Sequence, residues 1–213
     1  MTQLTVDAVL FDLDGTLVDS TASVHRNWQR IAALLGRDGE DVVGALQGIP
    51  GSQVLRIIEP EMPEERVHEL NQILIEGEID DTADVIATKG AVELIEAIPE
   101  QRWGVVTSAP LRLATARLAA AGLPMPRTMV TADDVATGKP DPAPFLLGAR
   151  LIGHAAARCL AIEDAPAGIL AATRAGCHTV GVLTTYAHLD GDTVPDLSAV
   201  AVRLTQDGLA ISY

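Results

Sequence analysis

The run Phe11-Asp12-Leu13-Asp14-Gly15-Thr16 follows an apolar stretch, Val6 to Leu10. Two carboxylates two residues apart at the end of an expected strand repel each other, so the fold must supply a cation or give them different tasks. Side chains alternate along a strand, so residues 12 and 14 start on one side, and Gly15 lets the backbone turn away and open the site. One carboxylate can attack phosphorus and become an aspartyl-phosphate. A second can give a proton to the leaving oxygen and later take one from water. An EF-hand calcium loop is excluded, because Gly15 comes too early for its ligand spacing. Asp-x-Asp alone also describes an ordinary acidic turn. The longer string after a strand favours metal-assisted chemistry at the C-terminal edge of a sheet.

Three further elements carry groups that such chemistry needs. Trp103-Gly104-Val105-Val106-Thr107-Ser108 is a strand ending in two hydroxyls, with a helix expected after Pro110. Hydroxyls and backbone N–H groups at a helix start suit a phosphate; read alone, Thr107 or Ser108 serves equally well as a helix N-cap. In Thr137-Gly138-Lys139-Pro140-Asp141-Pro142 the lysine is flanked by glycine and prolines. Held rigidly, it is a point charge for a phosphate or a nucleophilic carboxylate, although a single lysine is more often solvated at a surface. Leu160-Ala161-Ile162-Glu163-Asp164 is another strand ending in acids. Magnesium takes one or two carboxylates plus water and substrate oxygens; N-capping is the other use for Asp164. All four elements fall at strand C-termini, where open α/β sheets bind ligands.

Short apolar runs are expected as the strands that position these groups: Val6–Phe11, Trp103–Thr107, Thr128–Val130, Cys159–Ile162 and Thr179–Leu183. Helical patterns over Leu111–Ala121, Pro142–Ile152 and Ala165–Ala175 separate most of them and end at glycines 122, 153 and 176. Alternating strand and helix predicts a mainly parallel sheet covered on both faces, an α/β fold. From Ser20 to Asp84 no strand is expected. Thr21–Leu35, Gly51–Ile58 and Glu64–Ile79 read instead as amphipathic helices, an insertion too long for one crossover. From Ala199 onward the sequence promises one more short apolar run.

The 213 residues are 48% hydrophobic but only 3% aromatic, so the core must be built from Ala, Val, Leu and Ile. The formal charge of -14 argues against nucleic acid and anionic membrane as partners. Cys159 and Cys177 sit in apolar stretches without metal-type spacing and read as buried free thiols. No signal peptide or membrane-length apolar stretch is expected, which predicts a cytoplasmic protein.

On the strings Asp12-Leu13-Asp14-Gly15-Thr16, Thr107-Ser108, Lys139-Pro140 and Glu163-Asp164, in that order, the chain resembles the haloacid dehalogenase superfamily of phosphotransferases over nearly its whole length. The resemblance implies a Rossmann-like core, residues 1–19 and 85–213, with an inserted helical cap, residues 20–84. It implies that Asp12 is the nucleophile, Asp14 the general acid and base, and that Thr107 and Lys139 hold the phosphoryl oxygens and the nucleophile. It also implies magnesium on the side chains of Asp12 and Asp164 and the backbone carbonyl of Asp14, with Glu163 assisting. Within the superfamily the chain is most similar to phosphatases of small sugar and polyol phosphates. Its expected partner is therefore a small phosphorylated metabolite, and its expected state a monomer or weak dimer. Gly48, Gly51, Ser52 and Ser108 join the expected substrate- and phosphate-binding residues. Such relatives often carry an arginine in the cap loop matching Leu46–Gly51; this chain has none there, and Arg56 lies further along. His25 and Trp28 project from the first cap helix as candidates for the cleft, with packing the commoner role for a tryptophan. A β-phosphoglucomutase-type phosphomutase, and an aspartate-phosphorylated signalling module, are the competing functions.

Overall fold

A computed structural model of the chain describes residues 2–39 and 50–213. Its centre is a six-stranded sheet. In chain order its strands are β2 (Ala8–Phe11), β5 (Trp103–Val106), β6 (Thr128–Val130), β7 (Cys159–Glu163), β8 (His178–Val182) and β9 (Thr193–Val194). They lie in the spatial order β6-β5-β2-β7-β8-β9, and every neighbouring pair is parallel. Parallel strands covered on both faces read as continuous apolar runs, and β2, β5 and β7 are buried at every position.

Alternation along β2 divides the core in two. Val9 and Phe11 face one layer, where they meet α4 (Ala91–Glu96) and α5 (Leu111–Ala120) through Leu94, Ile95, Leu113 and Leu118. Ala8 and Leu10 face the other, built with Phe145, Ala149, Ala171 and Ala172 of α6 (Ala143–Ile152) and α7 (Pro166–Ala175). Alanines on both strand and helix let those layers approach closely, which is how a chain poor in aromatics fills its core.

Among the described residues, the segment after β3 (Val18–Asp19) is helical: α1 (Thr21–Leu34), α2 (Gly51–Ile58) and α3 (Glu64–Asp80). It buries its own cluster of Trp28, Ile31, Val54, Leu55, Val67, Leu70 and Leu74. The chain enters and leaves this segment side by side, because β3 pairs antiparallel with β4 (Ile86–Ala87).

Two expectations change. The strand expected over Val6–Phe11 is broken at Asp7, whose carboxylate is held by Arg158 at 2.8 and 2.9 Å. Residues before the break form β1 (Gln3–Val6) in another sheet. The C-terminal run is more than a single strand: β10 (Ala201–Thr205) and β11 (Gly208–Ser212) make a hairpin, and β1 adds to it. The partner of β1 lies some two hundred residues further along the chain, so no local alternation could announce it.

Candidate active site

β2 lies between β5 and β7, and the chain leaves it for opposite sides of the sheet: first to β5 and β6, then back across to β7 and β8. That switch point is where an open α/β sheet leaves a crevice beyond its strand ends. In register Phe11 stands beside Val105 and Ile162, so Asp12, Thr107 and Glu163 emerge together. The chain then turns tightly, with Gly15 at φ 81 and its N–H donating to the Val18 carbonyl at 2.8 Å. A side chain at Gly15 would overlap the Asp164 carboxylate and the Thr185 hydroxyl, so only glycine fits that approach.

Lys139 is the electrostatic centre. Its ammonium is buried and spends its three donors on Asp12 Oδ1 at 2.5 Å, Glu163 Oε1 at 2.6 Å and the Val106 carbonyl at 2.8 Å. Burial alone would lower the Lys139 pKa, but Asp12 and Glu163 outweigh it and hold the ammonium above its ordinary value. Glu163 Oε2 accepts from the backbone N–H groups of Asp164 and Ala165, both at 3.1 Å. Asp12 is pushed well above its ordinary value by burial and by Glu163 and Asp164, against the pull of Lys139. Asp164 is pushed up to about 7 by burial and by Glu163, while a Thr185 hydrogen bond and Lys139 oppose the rise.

Asp12, Glu163 and Asp164 thus offer carboxylate oxygens within 4.8 Å of one another, all buried. One ammonium cannot neutralise three carboxylates, and the excess negative charge in an all-oxygen setting fits a hard divalent cation. Asp14 does not add its side chain to this group. Its carboxylate accepts from Arg117 at 2.6 Å and from the Ser20 hydroxyl at 2.9 Å. The two carboxylates of the Asp-x-Asp pair therefore have different surroundings, Asp12 on a lysine and Asp14 on an arginine.

These groups line one cleft of about 410 Å³ between the sheet edge and the helical segment. Thr107 and Ser108 line it; Thr107 Oγ1 accepts from the Ala109 N–H at 3.0 Å, and the Ser108 hydroxyl has no partner among the described residues. Gly51 lines the cleft and Ser52 does not; the Ser52 carbonyl accepts from Arg56 instead. Gly48 lies outside the described residues. Trp28 reaches the cleft from the packed cluster, whereas His25 is exposed and absent from its walls. Arg56 pairs with Glu64 on the surface at 2.6 Å.

Several wall residues were not anticipated from the sequence: His68, Asn71, Gln72 and Glu78 of α3, and Arg117 of α5. A signal for the last two exists. Glu78 continues the apolar stripe Val67, Leu70, Leu74, and Arg117 falls on the buried face with Leu113, Ala114 and Leu118. Each is a charge where helical periodicity demands an apolar side chain.

Similarity to known proteins runs along the same residues. A family model described as haloacid dehalogenase-like hydrolase matches residues 6–176. Hexitol phosphatase A of Escherichia coli is 39% identical over 175 residues, 81% of this chain and 81% of that protein. Glycerol-1-phosphate phosphohydrolase 2 of Saccharomyces cerevisiae is 30% identical over 198 residues, 86% of this chain and 77% of that protein. The crystal structure of a hydrolase from Pseudomonas syringae superposes with a TM-score of 0.74 at 32% identity, covering 84% of this chain and 85% of that one. Among the described residues, no helix is long and apolar enough to cross a membrane.

Proposed function

The chain belongs to the haloacid dehalogenase-like hydrolases, and from that membership we propose that it is a magnesium-dependent phosphatase of a small sugar or polyol phosphate. The observation that carries this reading is the contrast within the Asp-x-Asp pair: Asp12 bound to Lys139 beside two more carboxylates, and Asp14 held apart on Arg117 and Ser20. The named activities of the relatives from Escherichia coli and Saccharomyces cerevisiae support the substrate class.

Residues 20–84 act as the cap and residues 1–19 and 85–213 as the core. Asp12, whose Oδ1 is occupied by Lys139, attacks phosphorus through its other oxygen. The bond from phosphorus to the alcohol oxygen breaks as the bond to Asp12 forms, and Asp14 delivers the proton to the departing alcohol. Water then attacks the phosphoaspartate, giving its proton back to Asp14 and returning Asp12 as carboxylate. Thr107 and Ser108, with the backbone N–H groups that follow β5, bind the phosphoryl oxygens, and Lys139 stays on Asp12 as fixed positive charge. Asp12, Asp164 and the Asp14 carbonyl, with Glu163 beside them, would hold magnesium, which supplies positive charge for the transferring group.

The cleft favours hydrolysis over return of phosphate to a bisphosphate. Among the described residues its basic side chains are Lys139, Arg117 and His68, the first two already paired, and residues 40–49 contain no Lys, Arg or His. A second phosphate would find little charge to meet it. Asn71 and Gln72 instead offer amides suited to hydroxyls. A cytoplasmic setting agrees with free Cys159 and Cys177, whose thiols burial pushes up to about 11 and about 12.

The test is phosphate release from hexitol, glycerol and hexose phosphates, with magnesium and with chelator. Release should require the metal, and Asp12→Asn should abolish it, because an amide is not a nucleophile. Full activity in a pure Asp12→Asn protein, or isomerised sugar phosphate in place of free phosphate, would overturn the reading.

A further inference from the structure

We propose that Arg117 is a positioning residue that makes the seating of cap helix α3 and the orientation of Asp14 a single event. The inference rests on the phosphatase reading above and concerns a residue outside its four motifs.

One guanidinium joins three parts of the molecule. Arg117 stands on core helix α5 with its side chain 5% exposed, donates through Nη1 to Asp14 Oδ2 at 2.6 Å and through Nη2 to Glu78 Oε2 at 2.8 Å. Glu78 belongs to α3, and its side chain is 7% exposed. Ser20, at the start of the helical segment, takes the remaining Asp14 oxygen at 2.9 Å. Asp14 is therefore fixed by one donor from the core helix and one from the segment's entry, and the core donor is itself held by the cap.

Stability does not account for this arrangement. Burying a guanidinium and a carboxylate costs several kcal/mol per ion, and apolar side chains of similar size usually serve packing as well or better. Both residues interrupt apolar stripes, and Arg117 Nε makes no hydrogen bond among the described residues. What an apolar pair could not do is hold two carboxylates at once. A planar fork with donors on separate nitrogens does so at fixed geometry, whereas an ammonium is a single point charge. Burial pushes the Glu78 carboxyl up to about 7, with Arg117 opposing and Asp14 adding to the rise. A contrast lies beside it: Arg112 also pairs with the cap, on Glu76 at 2.6 Å, but is 72% exposed and does not touch Asp14.

The consequence is specific to proton delivery. If Arg117 acts through Asp14, its loss should hurt substrates whose leaving oxygen needs a proton and spare those whose leaving oxygen departs as an anion. Values of kcat/KM, which report events up to departure of the alcohol, should be compared for glycerol 1-phosphate and 4-nitrophenyl phosphate with magnesium at pH 7. Asp14→Ala, the reference, should lose about 10²–10⁴-fold on the alkyl ester and far less on the aryl ester. Arg117→Met should lose about 10–100-fold on the alkyl ester and under about threefold on the aryl ester, the scale expected for a displaced catalytic group. Arg117→Lys should recover part of the loss, and Glu78→Gln should show the same pattern in smaller degree. Arg112→Ala should leave the ratio of the two substrates unchanged. Equal losses on both esters, or none, in Arg117→Met would overturn the inference; should that protein fail to fold, the same two outcomes in Glu78→Gln would overturn it. A flat response in Asp14→Ala itself would instead overturn the acid role of Asp14, and with it the present inference.

Discussion

Lys139 uses all three of its protons on buried acceptors, two of them carboxylates that also face a third acid, Asp164. Removing one partner of a buried ion pair leaves the other charge uncompensated, at about 3–5 kcal/mol. Lys139→Met should therefore lose about that much stability in chelator, measured by denaturant unfolding, and lose turnover as well. Recovery of most of that stability on adding magnesium would be the expected signature of a cation taking over the charge. A variant as stable as the parent in chelator would show that the ammonium is not what offsets these carboxylates. The Asp12 and Asp14 side chains illustrate the same rule differently: two like charges close in sequence are made compatible by sending each to its own cation.

Among the helices and strands, the first turn of α7 is shaped by the strand it follows. Gly168 sits so close to Glu163 that a Cβ there would overlap the carboxylate. Glycine to alanine within a helix ordinarily stabilises by about 0.5–1 kcal/mol. Here the sign should reverse: Gly168→Ala should lower the unfolding temperature and weaken magnesium's stabilising effect, both readable by thermal melts across a magnesium titration. A more stable Gly168→Ala protein with unchanged magnesium response would contradict this packing. The strand ends and helix starts thus form one unit, in which Glu163 caps the N–H groups of Asp164 and Ala165 while holding Lys139.

Taken over the full chain, several acids are stored at a cost that depends on pH. Glu78 rises from 4.5 to about 7 and Asp164 from 3.8 to about 7, in both cases chiefly through burial. A group with a raised folded pKa binds more protons folded than unfolded, so its contribution is full below the unfolded value and is lost as pH climbs through the folded one. Without metal, stability should therefore fall from the unfolded values, 3.8 for Asp164 and 4.5 for Glu78, up to about pH 7. Magnesium should flatten that fall by binding the ionised form of the acid cluster. Thermal melts over this range with chelator and with magnesium check both; stability that rises with pH in chelator would contradict the buried, crowded acids. The lowered carboxylates Asp7, Asp81 and Asp84 lie on surface arginines and act below this window.

The order of the four strings, the parallel α/β core and the helical segment after the first strand were legible in the sequence, because strand ends, helix caps and apolar periodicity are local. Asp12, Lys139, Glu163 and Asp164 announced themselves as charges beside glycine, proline and strand termini. The C-terminal hairpin with β1, the cleft face of α3 and the Asp14–Arg117–Glu78 bridge did not. Each joins residues far apart in the chain, where the partner is chosen by packing and local pattern says only that a charge is out of place. Amino-acid order alone marks which side chains carry the carboxylates, hydroxyls and ammonium that phosphate chemistry calls for. Which cation each carboxylate answers to is settled by the folded arrangement, because that depends on distances between elements that periodicity cannot measure.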